Sequence, residues 1–296
     1  MLVSMSASGR ALPRDLVAAA RAEGRTDWLH GIEAVVARIA DEWALTVGPP
    51  FQPGGQTAWV APVRTAAGDE QVLKVAWRHP EAEHEADGLR IWGGRGAVQL
   101  FDVGELNDTI VMLLESCRPG TPLSAEPESV QDDVIARLLR RMWLDPPANA
   151  RFRPLAQMCE EWAAQFDAKL AAGQVVLDPG IAAVGIGLFR SLPAEAGRHV
   201  LLCTDLHAGN VLAAEREPWL MIDPKPYVGD PAYDVVQHLL NCPARLTADP
   251  FGLVARLADL LDLDPERLRL WLFARCVQES PDWPNLVDIA RRLAPG

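Results

Sequence analysis

Apolar residues recur at helical spacing early in the chain: Leu16 and Val17, then Trp28, Leu29, Ile32, Val35, Val36, Ile39, Trp43 and Leu45. That spacing predicts two helices over residues 15–47, interrupted at Gly24 and Gly31. The period then falls to two. Residues 59–64 and 71–77 read as strands joined by T-A-A-G-D-E, and residues 97–103 and 109–115 as a second pair about G-E-L-N-D. Between the pairs, residues 79–92 predict a helix after Pro80. The strand pattern stops at L-L-E-S-C-R-P-G-T-P-L, residues 113–123. Beyond Ser129 the period is helical over residues 130–144, 155–172, 184–192, 232–240, 253–261, 266–279 and 286–293. The pattern therefore predicts an α+β chain, with a small antiparallel-sheet domain over residues 1–115 and a mainly helical domain over residues 116–296.

Only residues 200–234 depart from the helical rhythm of the second half. An apolar run, Val200 to Leu202, delivers Asp205 into a polar turn, and Asn210 follows. Two short apolar runs, 211–213 and 219–222, flank Glu215-Arg216-Glu217-Pro218 and predict a β-hairpin. A hairpin symmetric about the 216/217 junction sets Asn210 opposite Asp223, about 5 Å apart. An amide oxygen and a carboxylate converging beside a second carboxylate, Asp205, form a hard-cation site of the Mg²⁺ kind. One Asp as proton acceptor, with an Asn and a later Asp as metal ligands, is the layout of kinase-type phosphoryl transfer from ATP.

Composition narrows the function without naming it. At 296 residues, 49% hydrophobic and 23% charged, the chain is of ordinary globular make-up. Its net charge of −12 argues against a general nucleic-acid binder and suits a cationic acceptor. The five cysteines are scattered, with no C-x-x-C pair, which argues against a zinc site and a secreted disulfide framework. No run of eighteen apolar residues predicts a membrane span, and M-L-V-S-M-S-A-S-G-R lacks the form of a signal peptide. The expected setting is the cytoplasm.

Other residues extend the chemistry. Lys74 is the one charge in V-L-K-V-A-W and fits the strand lysine that holds the α- and β-phosphates of ATP. An acidic partner is offered by Glu81, Glu83 or Glu85. Gly54 and Gly55 precede the first strand, where a turn folds over phosphates or simply joins strands. Trp143, Trp162 and Trp271 sit in apolar phrases and read chiefly as core.

The phrases T-D-L-H-A-G-N-V-L, I-D-P-K and G-D-P-A-Y-D together resemble the aminoglycoside phosphotransferase superfamily, in its branch of streptomycin 6-kinases and hydroxyurea phosphotransferases. The resemblance spans most of the chain from about Trp28. It implies a two-lobe protein-kinase-like fold, with Asp205 as catalytic base and Asn210 and Asp223 holding Mg²⁺. Through H-E-A-D-G-L-R-I-W it points to Glu85 as the partner of Lys74. It further implies an adenine edge at Glu115, Ser116 and Cys117, bound through backbone groups. Lys225 is expected to steady the transferring phosphoryl group or to pair with Asp223. Asp230, Tyr233 and Asp234 are expected to brace the loop, and His207 to be structural. The chain departs from the superfamily at Cys203, where a histidine usually stands two residues before the catalytic Asp. The implied acceptor is a small hydroxylated molecule, foremost a streptomycin-type aminoglycoside. An amino-sugar or metabolite kinase and a catalytically weak nucleotide-binding module are the alternatives.

Overall fold

The structure is a computed structural model that describes residues 12–147 and 151–296; the segment weighed above as a leader lies outside them. The chain divides into two compact units. One takes the residues up to Gly120 together with Ala214–Leu220, and the other takes Thr121–Ala213 and Met221–Gly296. A linear division of the sequence makes no provision for the 214–220 excursion.

In the first unit, α1 (Arg14–Ala22) and α2 (Thr26–Glu42) bury Leu16, Ala20, Leu29, Ile32, Val36 and Ile39, one stripe on each helix. Gly24 separates them in a left-handed conformation, φ +69°. Gly31 does not interrupt anything and lies inside α2. An interior glycine costs about 1 kcal/mol relative to alanine, and the buried stripe running past it on both sides outweighs that. The sheet is antiparallel, built from β1 (Thr46–Val47), β2 (Ala58–Arg64), β3 (Glu70–Trp77), β4 (Leu100–Leu106) and β5 (Thr109–Glu115) in the order β1-β2-β3-β5-β4. Trp59, Ala61 and Val63 of β2, with Leu73, Val75 and Trp77 of β3, pack with the two helical stripes. Alternation along β3 therefore turns Lys74 to the other face. Helix α3 (Glu85–Trp92) starts only at Glu85, later than expected after Pro80, because residues 80–84 are taken up by turns.

The second unit opens with α4 (Glu128–Met142), α5 (Leu155–Ala171) and α6 (Pro179–Ser191). The last begins before its apolar stripe because Asp178 caps it, accepting from the N–H groups of Gly180 and Ile181. Short strands follow: β6 (Val200–Leu202), β7 (Val211–Ala213), β8 (Trp219–Met221), whose first two residues belong to the excursion of the first unit, and β9 (Tyr227–Gly229). β6 pairs antiparallel with β9, and β7 with β8. The stretch expected as one helix over 232–240 is two, α7 (Pro231–Asp234) and α8 (Val236–Leu240). After α9 (Pro243–Ala248), too short to show a period, come α10 (Pro250–Leu261), α11 (Pro265–Glu279) and α12 (Leu286–Leu293). Helix α11 buries Trp271 to Val277 without a break and packs on α6, α10 and α12. A helix buried all round is the centre of its unit.

Candidate active site

In the first unit the Lys74 ammonium lies 2.7 and 2.6 Å from the two carboxylate oxygens of Glu85. Both residues are buried, Lys74 at 7% and Glu85 at 1% exposure. Burying either charge alone costs several kcal/mol, and each offsets that cost for the other. Glu85 also occupies the first turn of α3, where the positive end of the helix favours a carboxylate. Of the other two acidic residues, Glu83 is exposed and Glu81 partly buried.

Gly54 has φ +88°, and a Cβ there would come within 2.3 Å of the Pro13 Cβ. Close packing against the residue that precedes α1 thus accounts for this glycine by itself. At Gly55 a Cβ would meet only the Ala58 carbonyl, at 3.7 Å. At the expected purine edge, Glu115 is still part of the sheet. Its backbone N–H donates to the Gln99 carbonyl at 2.9 Å. Its carboxylate receives the forked guanidinium of Arg216, 2.8 Å at each oxygen, and so pins the tip of the 214–220 excursion. Cys117 is half-buried, and its thiol is pushed up to about 11 by burial and by Glu115, against the opposing charge of Arg216.

In the second unit, a buried carboxylate organises the loop after β6. Asp234 accepts from the N–H of Cys203, 3.0 Å at each oxygen, from the N–H of Thr204 at 2.6 Å, and from the indole of Trp143 at 3.0 Å. Burial raises the Asp234 carboxyl to about 6 despite those donors. Held this way, Thr204 takes a left-handed φ of +46°, a conformation that a non-glycine residue keeps only where its surroundings impose it. Its hydroxyl donates to the Lys225 carbonyl at 2.6 Å. The Cys203 carbonyl accepts from the N–H groups of both Asp205 and Lys225, at 2.7 and 2.9 Å. Two distant segments are thereby tied at one residue.

The result is a fixed Asp205. Its Oδ2 lies 2.8 Å from the Lys225 ammonium, and its Oδ1 accepts from the Gln237 amide at 3.0 Å. Lys225 therefore reaches the carboxylate expected to act as base, which the sequence reading did not foresee. Asn210 donates from Nδ2 to the Asp205 backbone carbonyl at 3.0 Å. Anchoring that nitrogen leaves the amide oxygen as the atom able to face a cation. The hairpin is present, but its register differs by one residue from that expected. The Ala214 N–H bonds to the Pro218 carbonyl and the Ile222 N–H to the Asn210 carbonyl, so the turn centres on Arg216. Asn210 consequently faces Ile222, and Asp223 follows just outside the ladder with φ +52°. The left-handed turn, rather than cross-strand pairing, sets the direction of the Asp223 side chain. His207 accepts from the Gly209 N–H through Nδ1 at 3.1 Å. Its pKa is lowered, chiefly by burial, while the charges of Asp205 and Asp223 act in the opposite direction. A neutral ring capping a turn is a structural group.

The position where the superfamily resemblance calls for histidine holds Cys203. It is fully buried, its sulfur lies 4.0 Å from that of Met142, and burial raises its thiol well above the usual range. It serves as a small apolar side chain, and the bracing falls to Asp234. Asp230 caps α7 by accepting from the Ala232 N–H, and it also receives Arg267 at 2.6 Å and the Trp271 indole at 2.6 Å. Trp143 and Trp271, expected as core, are core residues whose N–H groups hold these carboxylates.

Two features carried no signal in the sequence. Gln237 reaches Asp205 only because α8 folds against the loop. Next to it His238, fully buried, meets Asp132 at 3.0 Å, and Asp132 also receives Arg245 at 2.6 Å and Arg256 at 2.7 Å. These donors stand on the consecutive helices α8, α9 and α10, far in sequence from Asp132 on α4.

Among the described residues, no three His, Cys, Asp or Glu side chains gather as a metal cage. The donors fit instead a hard cation that brings its own ligands. The Asn210 amide oxygen and the Asp223 carboxylate are two oxygen donors, which suits Mg²⁺ carried on a nucleotide's phosphates.

The sequence profile described as "Aminoglycoside/hydroxyurea antibiotic resistance kinase" matches residues 43–285. The streptomycin 6-kinase of Streptomyces griseus is 37% identical over 272 residues, covering 87% of this chain and 84% of that one. The hydroxyurea phosphotransferase of Kitasatospora aureofaciens is 37% identical over 265 residues, covering 87% and 74%. Among solved structures, a choline kinase from Streptococcus pneumoniae aligns with a TM-score of 0.61 at 14% identity, covering 88% of this chain and 97% of that one, a likeness of fold. No helix among the described residues is long and apolar enough to cross a membrane. With an α+β, protein-kinase-like architecture and relatives this similar over most of its length, the chain belongs to the aminoglycoside/hydroxyurea antibiotic resistance kinase family.

Proposed function

We propose that this protein transfers the γ-phosphoryl group of ATP to a hydroxyl of a streptomycin-type aminoglycoside, inactivating it, with Asp205 as the general base. The observation that carries the reading is the setting of Asp205, its carboxylate held between Lys225 and Gln237 on a loop braced by Asp234. A carboxylate fixed by an ammonium and an amide is held in orientation, as a base for an acceptor hydroxyl must be. The acceptor oxygen attacks the γ-phosphorus as its proton passes to Asp205, and the bond to ADP breaks. In the first unit, the Lys74–Glu85 pair supplies a positioned ammonium of the kind that grips the α- and β-phosphates. Asn210 and Asp223 would hold Mg²⁺, which when bound would neutralise charge on the phosphates. The names of the relatives support a streptomycin acceptor, and the net charge of −12 suits its guanidinium groups.

The retained Lys74–Glu85 pair and the ordered Asp205 favour turnover over mere nucleotide binding. ADP release from purified protein, with and without streptomycin and a panel of amino sugars, tests the proposal. Release that depends on streptomycin is expected. Release with amino sugars alone would move the acceptor to that class, and ATP binding without any release would refute the kinase reading.

A further inference from the structure

A cavity of about 540 Å³ in the second unit is lined by Gln237 and Asn241 from the end of α8, Arg275 and Glu279 from α11, and Trp283 and Asn285 from the segment that leads into α12. Its volume falls within the range of small-molecule sites. The feature that connects it to the chemistry is Gln237, which lines the cavity and also donates to Asp205 Oδ1 at 3.0 Å. We propose that this cavity is the acceptor site, that it takes a polyhydroxylated aminocyclitol or sugar ring, and that Trp283 is the platform on which the ring rests. The proposal rests on the kinase reading for the chemistry, but the binding assignment stands on the cavity itself.

The lining fits that class of ligand. Trp283 is 60% exposed, an unusual display for the largest apolar side chain, and the C–H face of a ring covers such a surface well. Three amides, those of Gln237, Asn241 and Asn285, surround it with donors and acceptors suited to hydroxyl groups. Asn285 sits at the N-cap position of α12 without capping it. The charges inside the cavity are already balanced, since Arg275 pairs with Glu279 at 2.8 Å and is itself stacked 4.6 Å above the Trp162 ring. The cavity therefore selects the hydroxyl-bearing ring. Entry of the ring sets one hydroxyl on Asp205 Oδ1 in place of the Gln237 amide. That hydroxyl's proton passes to Asp205 as its oxygen bonds to the γ-phosphorus and the bond to ADP breaks.

Two measurements separate this assignment from the kinase reading. In the first, streptomycin and a neutral cyclitol are titrated calorimetrically against the wild-type protein, Trp283→Ala and Trp283→Phe, all without ATP. Loss of the aromatic ring should weaken streptomycin binding about tenfold or more, and Phe should restore most of it. In the second, steady-state kinetics should show a raised KM for the acceptor in Trp283→Ala, with kcat and the KM for ATP within about twofold of wild type. Equal streptomycin affinity in wild type and Trp283→Ala overturns the assignment, as does no binding of either probe to the wild type. Binding that is lost in Trp283→Ala, from a protein with no phosphotransferase activity, supports the cavity and refutes the kinase reading alone. Thermal unfolding of both variants checks that the fold is unchanged, which the exposure of Trp283 leads us to expect.

Discussion

At the scale of single residues, two ion pairs carry opposite kinds of consequence. Asp205 is partly exposed and held by neighbours that survive its replacement. Asp205→Asn should fold normally and lower kcat about 10²- to 10⁴-fold, the usual worth of a general base. Wild-type turnover in that variant would remove Asp205 from the role. Lys74 and Glu85 are buried as a pair, so Glu85→Ala takes away a carboxylate 2.6 Å from a buried ammonium. Breaking one side of such a pair costs about 3–5 kcal/mol. The expected result is a lower denaturation midpoint along with a raised KM for ATP. An unchanged midpoint would show that Lys74 finds solvent or another partner once Glu85 is gone.

At the scale of elements, the turn before β2 and the loop after β6 show how a local conformation acquires a purpose. Gly54 and Gly55 read identically in the sequence, yet the structure separates them. Gly54→Ala combines a strained φ with a collision against Pro13, so it should destabilise by about 1–3 kcal/mol. Gly55→Ala meets ordinary space, and its stability should remain within about 0.5 kcal/mol of wild type. If the backbone here approaches phosphates, Gly55→Ala will raise the KM for ATP without moving the unfolding midpoint. An unchanged KM would leave the turn a purely structural connection. In the loop after β6 the bracing role passes from the expected histidine position to Asp234, which reaches back from α7 to two consecutive N–H groups. Cys203 can then be small and apolar without loosening Asp205.

At the scale of the whole molecule, two buried carboxyls make opposite contributions to the dependence of stability on pH. Burial alone would raise Asp132, but hydrogen bonds from His238, Arg245 and Arg256, with the charge of Arg245, outweigh it and hold the carboxyl well below its usual range. Its stabilisation is present above the unfolded value of about 3.9 and is lost as pH falls through the depressed folded value. Asp234 is the reverse case, raised to about 6 by burial against its hydrogen bonds. Its contribution is full below the unfolded value and is lost as pH rises toward about 6. Asp132→Asn should therefore lie furthest below wild type near neutral pH, with the gap closing only under strongly acidic conditions. Thermal unfolding of both proteins between pH 3 and pH 8, roughly the span over which these carboxyls act, measures this. A constant gap would show that the cluster gains nothing from the ionised Asp132.

The sequence by itself determined the kinds of element and the chemistry that short-range order can carry. The change from helical to alternating period marked the sheet unit, the lone charge in V-L-K-V-A-W marked Lys74, and the spacing of Asp205, Asn210 and Asp223 marked the loop for which phosphoryl transfer is proposed. Those features depend on residues within a few turns of one another, where backbone geometry is nearly fixed by pattern. Only the tertiary structure decided what depends on closure across long separations. It centred the hairpin on Arg216, paired that residue with the Glu115 carboxylate, directed Lys225 and Gln237 onto Asp205, and assembled the donors around Asp132. A one-residue register and the choice among several available partners are set by packing between distant segments, where the energies of the alternatives differ by little and no local pattern records the outcome.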